Sequence, residues 1–225
     1  MISMKSPALP RLLAALLAFA VLALTAFTTP DAWLKEIDTL TANDAAHPPA
    51  KGGVVFVGSS SIRLWLTLAE DFPDIATINR GFGGSELADS LFYLDRLVLA
   101  YQPRLVVLYA GENDINGGKT PEAVLADFKA FRSKLHAALP KTRLIYLSIK
   151  ESPSRARKAS LFQATNELIA ADCASDPRCT FVDVNTAMLD ASGGTRPELF
   201  VDDQLHLNAA GYAIWKRELA PHLQP

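Results

Sequence analysis

The sequence predicts an α/β fold in which one parallel sheet carries helices on both faces. Two observations lead there. Short apolar runs rich in β-branched residues recur without strict alternation, as strands buried on both faces require. Helix-length amphipathic segments separate each run from the next. The chain has 225 residues, of which 49% are hydrophobic, enough for one domain with a single core.

The first element is a targeting pattern. Lys5 and Arg11 precede an unbroken apolar stretch from Leu12 to Phe27, which Thr28-Thr29-Pro30 ends. A positive start and a short apolar run mark a secretory signal, and the run falls short of the ~20 residues that a membrane span needs. Leu24-Thr25-Ala26 is a poor version of a small-x-small cleavage site. Residues 1–30 are therefore expected to act as a signal peptide or, uncleaved, as a membrane anchor through residues 12–27. The mature chain is expected to be periplasmic or secreted, or else anchored and facing away from the cytoplasm. Residues 31–50 form a polar lead-in with a short helix expected over Trp33 to Leu40, and the main domain spans residues 51–225.

Within that domain the expected strands are Val54 to Val57, Ile75 to Ile78, Leu105 to Tyr109, Leu144 to Ile149 and Phe181 to Val184. The helix-like stretches are Glu86 to Ala100, Pro121 to Leu139, Ser154 to Ala171 and Asn208 to Leu219. Thr120 before Pro121 is a favoured helix start. Leu125, Phe128, Phe131, Leu135 and Leu139 fall at helical spacing and belong to the core. No internal repeat or linker divides the domain.

The formal net charge is −2, and no basic run exceeds Lys216-Arg217. Nucleic-acid binding, which needs a clustered positive surface, is excluded as the expected function. Cys173 and Cys179 flank Asp176-Pro177. In an oxidising compartment they can close a small loop, which contributes roughly 2 kcal/mol. Two unpaired thiols are the alternative.

In a parallel sheet all strands end on one edge, and ligands bind outside those carboxyl ends. Four of the five strand ends carry chemistry-bearing residues. Gly58-Ser59-Ser60-Ser61 follows the first run; a serine in such a turn is either an exposed nucleophile or a helix cap. Asn79-Arg80-Gly81-Phe82-Gly83-Gly84-Ser85 follows the second, where glycines let backbone approach a ligand. It fails the GxGxxG spacing because residue 86 is Glu. After the third comes Gly111-Glu112-Asn113-Asp114, in which Asn113 can present its amide to an oxyanion while Asp114 braces the loop. The fifth is followed at a distance by Asp203-Gln204-Leu205-His206. A carboxylate three residues before a histidine can accept its Nδ1–H and fix the tautomer. Of the four histidines, His206 alone sits at a strand-end position. No further His, Cys or carboxylate stands in register for a metal site.

The order Ser, Gly, Asn, His resembles that of the SGNH hydrolases, the GDSL-type esterase and lipase family, from about Gly52 to Leu219. The resemblance implies a flavodoxin-like, three-layer α/β/α sandwich with a five-stranded parallel sheet. It implies Ser60 as nucleophile, with Asp203 and His206 completing the triad. It implies an oxyanion hole made by the amides of Ser60 and Gly84 and the side chain of Asn113, and no metal or organic cofactor. Two positions depart from the family pattern: Ser59 and Ser85 stand where aspartate is usual. Three adjacent serines leave the register to the family alignment, which favours Ser60 over Ser59 and Ser61. Gly-x-Ser-x-Gly is absent, since residue 62 is Ile.

The function expected is hydrolysis of carboxylic esters through an acyl-enzyme. No long hydrophobic lid insertion is visible, which directs the reading to short acyl chains on a small ester or an O-acetylated carbohydrate. The alternatives are a lysophospholipase or thioesterase of the same family and a catalytically silent glycan-binding protein. Lys150, Glu151 and Arg155 follow the fourth run; the expected role is a solvated loop, the alternative a polar lining of the site mouth. Trp65 either walls an acyl pocket or packs in the core.

Overall fold

The computed structural model describes residues 30–42, 44 and 46–224. The expected signal or anchor segment lies outside the described residues. A 3-10 turn (Pro30–Trp33) leads into α1 (Leu34–Thr41), close to the expected lead-in helix. Then follow β1 (Val54–Gly58), α2 (Ser60–Arg63), α3 (Leu68–Asp71), β2 (Thr77–Gly81), α4 (Leu87–Phe92), α5 (Leu94–Leu97) and β3 (Leu105–Tyr109). The chain continues through α6 (Glu112–Asn116), α7 (Pro121–Ala138), β4 (Arg143–Leu147), α8 (Ala159–Cys173), β5 (Cys179–Val182) and α9 (Ala209–Leu219). Among the described residues no helix is long and apolar enough to cross a membrane.

All strand pairs are parallel, in the order β2-β1-β3-β4-β5. This is the flavodoxin-like order, and its switch point lies between β1 and β3, where the chain winds off in opposite directions. Strand alternation divides the core in two. Val55, Val57, Val106, Leu108, Leu144 and Tyr146 point towards α1, α4, α5, α7 and α8. Val54, Phe56, Leu105, Val107, Ile145 and Leu147 point towards α2, α3 and α9. Trp65 belongs to this second layer, 1% exposed and packed on Phe56, Phe72, Tyr212 and Trp215. Its place is core, not acyl pocket.

Several boundaries differ from expectation; β4 ends at Leu147, two residues early, and α8 begins at Ala159, after a 3-10 helix (Pro153–Lys158). β2 begins at Thr77, two residues late, and runs through Asn79 and Arg80, which were expected in the following loop. These polar residues find partners beside the sheet: Asn79 Nδ2 donates to the Ile62 carbonyl at 2.7 Å, and Arg80 pairs with Asp44 at 2.8 Å. β5 begins at Cys179 instead of Phe181. The expected helix over Glu86 to Ala100 is broken into α4, α5 and a 3-10 turn (Leu99–Tyr101). Cys173 and Cys179 form a disulfide linking the end of α8 to the start of β5.

The lead-in is part of the core. Ile37 is fully buried, and Trp33 packs edge-on against Phe82. Compared with a chain starting at Asp31, one starting at Lys51 is expected to lose at least the ~2–5 kcal/mol that a buried isoleucine contributes. A lower urea midpoint would register that loss; equal midpoints would mean that α1 contributes nothing.

Candidate active site

The site is built at the carboxyl edge, around the switch point. β1 ends at Gly58, whose φ is +130°; a Cβ there would lie 1.9 Å from the Tyr109 carbonyl oxygen, so only glycine lets β1 and β3 run this close. The amide of Ser59 donates to that same carbonyl at 2.9 Å, which fixes the turn into α2. Ser59 and Ser61 are buried, while Ser60, at the first position of α2, is partly exposed.

His206 and Asp203 reach Ser60 from the loop before α9. His206 Nε2 lies 2.8 Å from Ser60 Oγ, and Nδ1 lies 2.6 Å from Asp203 Oδ2. Asp203 Oδ1 accepts the amides of Leu205 and His206, each at 2.9 Å. Partial burial works to raise the Asp203 carboxyl, but the His206 amide and ring and the Leu205 amide outweigh it and hold the group at about 2. The carboxylate is therefore charged at neutral pH and favours the tautomer with the proton on Nδ1, which leaves Nε2 towards the serine. Asn208 keeps the loop in place. Its Oδ1 accepts from Ala210 and Gly211 at the start of α9, and its Nδ2 donates to the carbonyls of Glu198 and Phe200.

The second wall is the loop Phe82–Ser85. The Phe82 amide donates to the Gly58 carbonyl at 2.9 Å, tying this loop to the serine turn. Gly84 is exposed with φ of +73° and open space where a Cβ would project. Ser85, at the position where aspartate is usual, is buried and donates to the Phe82 carbonyl.

Asn113 in α6 forms the third wall. Its Nδ2 donates to the Ser85 carbonyl at 2.9 Å, leaving its second N–H for another acceptor. Asp114 braces the junction by accepting the Leu87 amide and Lys119. Burial pushes its carboxyl up to about 6 against the pull of Lys119.

Residue-type reasoning missed two supports. Trp33 Nε1 donates to the Gly83 carbonyl at 2.7 Å and Glu36 accepts the Gly83 amide, so the lead-in holds the glycine loop from outside. The charged residues after β4 are not a solvated loop. Lys150 is fully buried and pairs with Glu112 at 2.9 Å, and Arg155 reaches Asn113 Oδ1 at 3.0 Å. Glu151 is the half-buried member, its amide donating to Asn185.

A flavodoxin-like sandwich with serine, histidine and aspartate in one hydrogen-bonded line at its switch point defines a hydrolase of the α/β/α type. The model of the GDSL-like Lipase/Acylhydrolase family matches residues 57–214, and the chain belongs to that family of ester-hydrolysing enzymes. Platelet-activating factor acetylhydrolase IB subunit alpha1 from Pongo abelii is 31% identical over 170 residues, covering 71% of this chain and 70% of the relative. A GDSL-like lipase from Bacteroides thetaiotaomicron superposes with a TM-score of 0.68 at 19% identity, covering 83% of this chain and 96% of that one. An acetylxylan esterase from Geobacillus stearothermophilus gives a TM-score of 0.63 at 14% identity, covering 77% and 95% of the two chains.

Proposed function

We propose that the protein is an exported serine esterase that removes short acyl groups, acetyl above all, from small or carbohydrate esters. The unbroken line Asp203–His206–Ser60 carries this reading. His206 takes the Ser60 proton as Oγ attacks the ester carbonyl, and Asp203 stabilises the imidazolium that results. The amides of Ser60 and Gly84 and the free N–H of Asn113 receive the oxyanion. His206 then gives its proton to the leaving alcohol, and water hydrolyses the acyl-enzyme by the same route in reverse.

Two supports bear on substrate and location. The acetylhydrolase and acetylxylan esterase that this chain resembles are both named for acetyl removal. The apolar stretch behind Lys5 and Arg11, together with the Cys173–Cys179 disulfide, fits an oxidising compartment outside the cytoplasm.

The test is hydrolysis of p-nitrophenyl esters from acetate to palmitate by the chain from Asp31 onward, with fluorophosphonate labelling read by peptide mapping. Activity falling steeply beyond short chains, with the label on Ser60, is the expected result. A preference for long chains would replace the acetyl reading with a lipid or thioester substrate. Folded protein that neither turns over any ester nor takes the label would be a binding protein on this fold.

A further inference from the structure

The oxyanion-hole amide stands on a polar cluster that the esterase mechanism does not use. Lys150, with no solvent exposure, donates to Glu112 Oε2 at 2.9 Å, and the Tyr109 hydroxyl donates to the same oxygen at 2.6 Å. Burial, then the Glu112 charge, pushes the Tyr109 phenol well above its ordinary range, so it remains a donor. Glu112 Oε1 has no hydrogen bond of its own; the Arg155 guanidinium lies 3.3 Å away as its counter-charge. The other guanidinium nitrogen, Nη2, donates to Asn113 Oδ1 at 3.0 Å. Arg155 is 14% exposed and reaches Asn113 from 42 residues further along the chain.

A carboxamide has nearly isosteric ends. Turned by half a rotation, Asn113 would present Oδ1, an acceptor, to the developing oxyanion and repel it. Two partners distinguish the ends: the Ser85 carbonyl can only accept and holds Nδ2, while Arg155 can only donate and holds Oδ1. Arg155 is anchored on the opposite side, through Glu112, to the buried end of β3. We propose that Arg155 is a positioning residue for the reaction, holding the Asn113 amide with its N–H towards the oxyanion and Glu112 and Lys150 as its foundation. The proposal rests on the esterase reading above.

The experiment is a double-mutant cycle on p-nitrophenyl acetate using Arg155→Met, Asn113→Ala and the pair, with Ser60→Ala as the blank. Arg155→Met is expected to lower kcat by about 10–100-fold, less than the roughly 10²–10³-fold that losing an oxyanion-hole donor outright costs, with KM within about threefold. In the Asn113→Ala background the same change is expected to have almost no effect, because the amide it orients is gone. Guanidinium ion added to Arg155→Met is expected to recover part of kcat and to do nothing for the double variant. An undiminished kcat in Arg155→Met, or an equal loss in both backgrounds, overturns the proposal. Arg155→Lys, which keeps the charge but not the planar fork, supplies the same cycle if the methionine variant folds poorly. Absence of any Ser60-dependent turnover in the wild type would instead overturn the esterase reading and this proposal with it, whereas failure of the cycle alone leaves the esterase standing.

Discussion

Ser60→Ala is expected to lower kcat for p-nitrophenyl acetate by roughly 10⁴–10⁶-fold, the loss seen when a nucleophile acting as one unit with its base is removed. The geometry singles out this serine. Ser60 Oγ lies 2.8 Å from His206 Nε2, whereas Ser59 and Ser61 are buried on either side. Ser59→Ala and Ser61→Ala are therefore expected to retain most activity, and the three variants together read the register that three adjacent serines leave open. Asp203→Asn is expected to cost about 10⁴-fold with the fold intact, because the amide stabilises the wrong tautomer. Asp203 also sets a pH expectation. Its folded carboxyl, depressed to about 2, contributes stability at every pH above the ordinary carboxylate range and loses it only as pH falls towards 2. An acid limb of kcat above that range that disappears in Asp203→Asn would contradict the assignment. If Ser60→Ala turns over ester at the wild-type rate, the nucleophile lies elsewhere.

The parts of this site legible in the sequence were those whose chemistry is local. Gly58, Ser60, Gly84, Asn113, Asp203 and His206 each follow a strand end or a loop cluster, and a parallel sheet collects such positions on one edge. The strands themselves were visible where both faces are buried, as in Val54–Gly58 and Leu105–Tyr109. β2 was displaced because Asn79 and Arg80 owe their burial to Ile62, Asp44 and Tyr101, not to apolarity. The break in the helix after Glu86 has no marker either, since no Gly or Pro lies between Glu86 and Ala100. Residue type alone places Lys150 and Arg155 in solvent, since lysine and arginine are rarely buried. Their partners, Glu112 and Asn113, lie about forty positions away, where no periodicity reaches.

That long-range pair gives the largest expected effect on stability. Glu112→Gln leaves the fully buried Lys150 ammonium, with Arg155 close by, without a counter-charge. Breaking a buried pair from one side costs about 3–5 kcal/mol, which for a domain of this size lowers Tm by roughly 6–20 °C. Glu112→Gln combined with Lys150→Met removes both charges while methionine fills the lysine's space and glutamine still accepts from Tyr109. The double variant is expected to regain stability to within about 1–2 kcal/mol of wild type, because desolvating a buried pair cancels most of its attraction. A double variant as unstable as the single would show that packing, not the unpaired ammonium, sets the loss. If the pair adds little net stability, its use lies in what it holds. Arg155 in the double variant has lost its carboxylate, so kcat is expected to stay depressed although Tm recovers. Thermal melts and turnover measured on the same three proteins separate the two roles of Glu112: neutralising a buried lysine, and holding the arginine that orients Asn113.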